Sequence, residues 1–228
     1  MSTLEAVIKD NTLYIHKIVD FNKNSDKLLP LDFTSANVEL TGEILDNTDL
    51  FSKWVNQKLA NNKARYGIGG YNEHRTIYSR SAHFNTGEEP RRLHLGVDIW
   101  GPAGTPIYNF YDAKVHSFAN NNNFGDYGAT IILAYNMDGL EFYALYGHLS
   151  LASLTGLKEG SFIAAGEKIA ELGLKEENGH WPPHLHFQLI LDIDNLKGDY
   201  PGVCKFSERN KYLANCPDPN LILEYSFY

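Results

Sequence analysis

Cysteine is scarce: Cys204 and Cys216 are the only two in 228 residues. Two thiols cannot build a disulfide framework or a four-thiolate zinc site, so they read as free, partly buried groups. Positive charge is also short. Twenty Lys and Arg face 28 Asp and Glu, a net charge of -8 with no basic cluster. Phosphate binding draws on clustered Lys and Arg, so no nucleic-acid partner is expected. No apolar run approaches the length needed to cross a bilayer, and no membrane insertion is expected. The opening MSTLEAVIKDNTLYIHKIVDF lacks the basic-then-apolar layout of a secretory signal, so the expectation is cytoplasmic. Removal of a leader would instead place the chain in the periplasm or outside the cell. Repeats of solenoid length are missing as well, and the Asn120–Asn123 tract reads as a polar loop.

What is present divides near residue 90. Before it, Leu50, Phe51, Trp54, Val55 and Leu59 recur at helical spacing and predict a helix over Thr48 to Ala64, with Thr48 as its cap. After it come short apolar segments between Gly, Pro and Asn signals: His94–Ile99, Pro106–Phe110, Lys114–Phe118, Thr130–Tyr135, Phe142–Tyr146, Lys168–Leu172 and His184–Leu191. Without helices between them, such strands pair antiparallel. The expected fold is mainly β: an α/β N-terminal extension over 1–88, a β core over 89–192 and a loop-rich tail over 193–228 packed on that core.

Nine histidines are present, and three places concentrate the informative ones: His94-Leu-Gly-Val-Asp98, Tyr146-Gly-His148-Leu149 and His184-Leu-His186-Phe187. Residues two apart on a strand share a face, so His184 and His186 project into one site. Gly96 lets the backbone turn His94 and Asp98 toward one point. A His and a carboxylate joined by a distant His give three N/O ligands and leave a fourth position for water, the layout of a catalytic zinc site. Each fragment is weak alone; their co-occurrence in this order carries the signal.

The stretches HLGVDIWGPAGTPIYNFYDAKVHSF, FGDYGATIILAY, YALYGHLS, KEGSFIAAGEKIAELG and PPHLHFQL together resemble the M23 family of zinc metallopeptidases, the lysostaphin-like or LytM-like endopeptidases, over roughly residues 90 to 192. The resemblance implies a two-sheet antiparallel β core of the duplicated hybrid-motif kind, with Zn2+ in a groove between loops. It also implies an enzyme that cleaves peptide bonds in cell-wall peptides, so the partner is a peptide, possibly peptidoglycan-derived. Carried over by position, His94, Asp98 and His186 match the metal ligands, and His148 and His184 the catalytic histidines. Such histidines can deprotonate or orient a water and protonate a leaving amine.

Four further residues are candidates for substrate contact, with ordinary packing as the alternative for Tyr146, His180 and Trp181 and a surface or structural ion pair as the alternative for Arg75. Tyr146, two before His148, would share its face and offer a hydroxyl. His180 and Trp181 precede the stiff Pro182-Pro183 pair at the expected site entrance. Arg75 has a fork suited to a peptide carboxylate. Other functions stay open: a zinc hydrolase of a small intracellular peptide or amide, a non-catalytic LytM-like binding or regulatory domain, and a sugar-phosphotransfer carrier, which would need no His94 and Asp98 pair.

Overall fold

The computed structural model describes residues 3–85 and 87–225. Among them, eight strands form one sheet in the order β1 (Leu28–Leu31), β2 (Tyr66–Gly69), β4 (Val97–Trp100), β11 (His184–Ile190), β8 (Leu140–Leu149), β7 (Gly128–Met137), β6 (Ala113–Asn121) and β9 (Phe162–Ile163). Two ribbons accompany it: β3 (Leu93–His94) with β12 (Val203–Cys204), and β5 (Pro106–Tyr108) with β10 (Lys168–Glu171). Pairing is antiparallel throughout except between β1 and β2. The mainly β, antiparallel expectation therefore holds. The β7–β8 hairpin closes on Asp138 and Gly139, both at positive φ, the two-residue loop whose twist matches paired strands.

Register separates two chemistries across the sheet. On one face Ile68, Ile99, Leu185, Phe187, Tyr146 and Ile131 line up strand by strand and merge into the main apolar core with Ile107 and Phe110. Burying one such side chain contributes about 1.5–3 kcal/mol, which fixes the register. On the other face the same register aligns Gly69, Asp98, His186 and Gly147, with Trp100 beside His184. A one-residue slip would drive these polar groups into hydrocarbon.

The N-terminal residues are continuous with the sheet. β2 pairs with β4 from Gly67↔Trp100 to Gly69↔Asp98, so the chain before residue 88 reaches the polar face directly. Helix α1 (Thr48–Asn62) buries Phe51, Trp54, Val55 and Leu59 against Phe33 and Trp100. Its cap is Asn47, not Thr48: the Asn47 Oδ1 accepts from the Asp49 and Leu50 amides, so Thr48 is the first helical residue. In the tail, β12 pairs with β3, and helix α2 (Arg209–Asn215) leads into Cys216. Both cysteines are buried free thiols. Among the described residues no helix is long and apolar enough to cross a membrane.

Candidate active site

His94 ends β3, Asp98 lies on β4 and His186 faces Asp98 across the β4–β11 register. Between the first two, Gly96 packs under the third: a Cβ there would sit 2.8 Å from the His186 ring, so glycine is needed for the approach. Three donor atoms result, His94 Nε2, Asp98 Oδ1 and His186 Nδ1. They stand 3.0 Å apart between the imidazoles and 3.2 Å from each imidazole to the carboxylate.

The outer partners decide where the protons are. His94 Nδ1 lies 2.8 Å from the Gly70 carbonyl, which can only accept, so Nδ1 carries the hydrogen and Nε2 is bare. Gln188 donates its amide nitrogen to the Pro201 carbonyl, which orients Oε1 toward His186 Nε2 at 2.9 Å. His186 Nε2 therefore holds its hydrogen and Nδ1 is bare. Asp98 Oδ1 is buried and accepts no hydrogen bond among the described residues. Burial lowers His94 to about 4, with Arg75 adding to the effect. Burial alone would raise Asp98, but His94, Arg75 and His186 outweigh it and hold the carboxyl well below its usual range. Three potential donor atoms thus converge in a buried place, an arrangement that could hold a metal ion. A tetrahedral ion with bonds of about 2.0 Å sets its ligands roughly 3.3 Å apart, which fits these spacings and this N/N/O set.

His148 and His184 stand beside this cluster with ring centroids 4.1 Å apart. His148 Nδ1 donates to the Asn178 carbonyl and His184 Nδ1 to the Pro182 carbonyl, each at 2.8 Å. Each Nε2 is left bare, with no partner among the described residues. The His184 ring also stacks on Trp100 at 3.9 Å. Burial lowers His184 to about 4 and His148 well below its usual value, so both are neutral. His148, His184, His186 and Asp98 line one cleft. Its walls come from the extension (Ile77, Tyr78, Phe84) and the tail (Tyr200, Gly202, Val203).

Of the substrate-contact candidates, Trp181 and Arg75 line this cleft, and Trp181 is itself only 3 % exposed. Tyr146 does not reach it. A bulge in β8 adds a residue between Tyr146 and Leu149, and His148 takes φ +62°, so the two-residue alternation breaks between Tyr146 and His148. Tyr146 consequently points into the apolar core, where its hydroxyl meets that of Tyr135 at 2.7 Å. His180 is exposed, stacks on Phe124 and lies outside the cleft lining. The Arg75 side chain is 0 % exposed, and four of its five N–H groups are already on Glu73, Tyr78, Asp98 and Gly70, so it is committed to structure and not to a substrate carboxylate. Residues not anticipated from sequence are Gly70, Glu73, Asn178 and Gln188. Only Gln188 left a signal, since it continues the His184, His186 alternation along β11.

The sequence model of Peptidase family M23 matches residues 92–197. Peptidoglycan DD-endopeptidase ShyA of Vibrio cholerae is 29% identical over 126 residues, covering 50% of this chain and 26% of that protein. The chain thus spans about a quarter of that relative's length. Among solved structures, the catalytic domain of the antimicrobial peptidase lysostaphin from Staphylococcus simulans is 26% identical. That alignment covers 76% of this chain and 98% of the other, with a TM-score of 0.44. A zinc containing peptidase from Vibrio cholerae is 29% identical, covering 43% and 27%, with a TM-score of 0.35. The similarity to peptidase family M23 thus lies in residues 92–197, a little under half of the chain.

Proposed function

We propose that this chain is a zinc-dependent peptidase that hydrolyses peptide bonds of the glycine- or D-amino-acid-containing kind found in peptidoglycan. The observation that carries the reading is the buried triangle of His94 Nε2, Asp98 Oδ1 and His186 Nδ1, beside a cleft that also holds His148 and His184. When bound there, a zinc ion polarises the scissile carbonyl and brings the pKa of a coordinated water toward neutrality. The remaining work falls to the chain. His148 and His184 start neutral, so the Nε2 of either can take a proton from the attacking water and return it to the departing amine. Their Nδ1–H bonds to backbone carbonyls fix ring orientation through that exchange. Peptidoglycan as the substrate draws further support from the activity named for the Vibrio cholerae relative.

A second reading, short soluble peptides in place of the polymer, is favoured by enclosure: Asp98, His148, His184 and His186 are only 2–5 % exposed. Elemental analysis, chelation with zinc readdition, and mass spectrometry of digests of muropeptides and of soluble glycyl peptides test both. Cleavage of muropeptides that stops on chelation and returns with zinc is the expected result. Turnover of soluble peptides alone would select the second reading, and a folded protein that takes up no zinc would end both.

A further inference from the structure

We infer that Arg75 is a positioning residue of the metal centre, so that the segment from Gly70 to Arg75, outside the family match, is built into that centre. The inference rests on the zinc reading above. A fully buried guanidinium is costly unless it is well paired, and here all three nitrogens have a partner. Arg75 donates through Nε to Glu73 at 2.6 Å, through Nη1 to Asp98 Oδ2 and Tyr78 Oη, and through Nη2 to the Gly70 carbonyl at 3.1 Å. Glycine at 69 makes room, since a Cβ there would lie 2.7 Å from Nη2.

Two consequences follow for the ligands. The two oxygens of Asp98 become unequal: Oδ2 is held by Arg75, and only Oδ1 faces the two imidazoles. A carboxylate with both oxygens free can close on a metal with two bonds and take the position a water needs; one pinned by a guanidinium cannot. The Gly70 carbonyl, which accepts from Arg75, is also the acceptor that keeps the hydrogen of His94 on Nδ1. One short loop thereby sets the binding geometry of Asp98 and the tautomer of His94 together. Glu73 braces the guanidinium from the side away from Asp98, and the three charges leave the centre one unit negative before any cation arrives.

The test uses the full chain with Arg75→Gln, Arg75→Lys and Glu73→Gln. Zinc affinity is read by competition with a chromophoric chelator, and coordination by the visible spectrum of the Co2+-substituted protein. Arg75→Gln should weaken zinc about 10- to 100-fold and lower the intensity of the cobalt bands as Asp98 closes with both oxygens. Arg75→Lys, which keeps the charge but loses the fork, should recover part of both. Should Arg75→Gln not fold, Glu73→Gln removes the brace alone and should move both readouts in the same direction. Folded variants with wild-type zinc affinity and an unchanged cobalt spectrum would overturn the inference while leaving the zinc reading intact. A wild-type chain that binds no zinc would overturn that reading first.

Discussion

Gln188 offers a sharp test of the proton bookkeeping, because replacing it by Leu keeps the volume while removing three hydrogen bonds. Lost are the acceptor for His186 Nε2–H at 2.9 Å, the donor to the Pro201 carbonyl at 3.1 Å and a weak contact to Cys216 Sγ at 3.3 Å. Each of the first two leaves a buried or part-buried polar group unpaired, at about 1–3 kcal/mol apiece. The hydrocarbon gain offsets part of that sum, so the metal-free chain should lose about 2–4 kcal/mol. His186 Nε2 then keeps only the Tyr127 hydroxyl at 3.5 Å, so the bare Nδ1 that a cation needs is enforced far less firmly. Losing such a partner weakens metal binding about 10- to 100-fold, which is roughly 1.4–2.7 kcal/mol. By linkage, urea unfolding in saturating zinc should show a destabilisation larger than that in chelator by this amount. Gln188→Glu keeps the acceptor but sets a carboxylate oxygen against the Pro201 carbonyl, so it should lose apo stability while retaining zinc affinity. Equal destabilisation of Gln188→Leu with and without zinc would refute the tautomer argument.

Three other outcomes are expected. His148→Ala and His184→Ala should each abolish peptide turnover while zinc stoichiometry stays at wild type; substantial activity in a zinc-loaded variant would remove that histidine from the reaction. Tyr146→Phe should cost about 1 kcal/mol of stability and leave kcat/KM unchanged, because the Tyr135 hydroxyl still donates to Asn109 Oδ1; a large loss of turnover would mean the hydroxyl reaches substrate. Burial pushes the Cys204 and Cys216 thiols up to about 12. Against an unfolded value near 8.5, folding therefore favours the thiol form. That contribution is intact below about pH 8.5 and is lost as pH rises toward 12. Iodoacetamide at pH 8 should label the native chain about a thousandfold more slowly than the urea-unfolded one, and equal rates would contradict the burial.

How much of this was readable from sequence follows from how local each determinant is. His184 and His186 share a face because a strand alternates, and that rule needs no tertiary information. The meeting of Asp98 with His186 depends on the β4–β11 register, which composition cannot reveal, although the order of the motifs implied it. The same alternation misplaced Tyr146: in Tyr146-Gly-His148 the bulge reverses the face, and Gly147 is its sole trace in sequence. For Arg75 the sequence leaves substrate contact and an ion pair both open, and the structure gives the ion pair. Whether an arginine meets substrate or structure is decided by burial, and here by the loop after β2 folding onto β4. The helix cap moved one residue because Asn47 and Thr48 both suit an N-cap and only the backbone chooses between them.

All four imidazoles of the site are held by one device, an acceptor for the outer N–H: the Gly70, Asn178 and Pro182 carbonyls and the Gln188 amide. What divides them into two pairs is the carboxylate. His94 and His186 each lie 3.2 Å from Asp98, so their bare nitrogens and a negative charge surround one point. His148 and His184 instead pack against each other at a tilt, and with no carboxylate between them they stay neutral and face the cleft. Three of the four acceptors are backbone, so their placement depends on loop shape and not on the residue that contributes them. Substitutions that reshape the loops around Gly70 or Asn178 should therefore disturb the site as strongly as substitutions of Gln188, even with every imidazole and carboxylate retained.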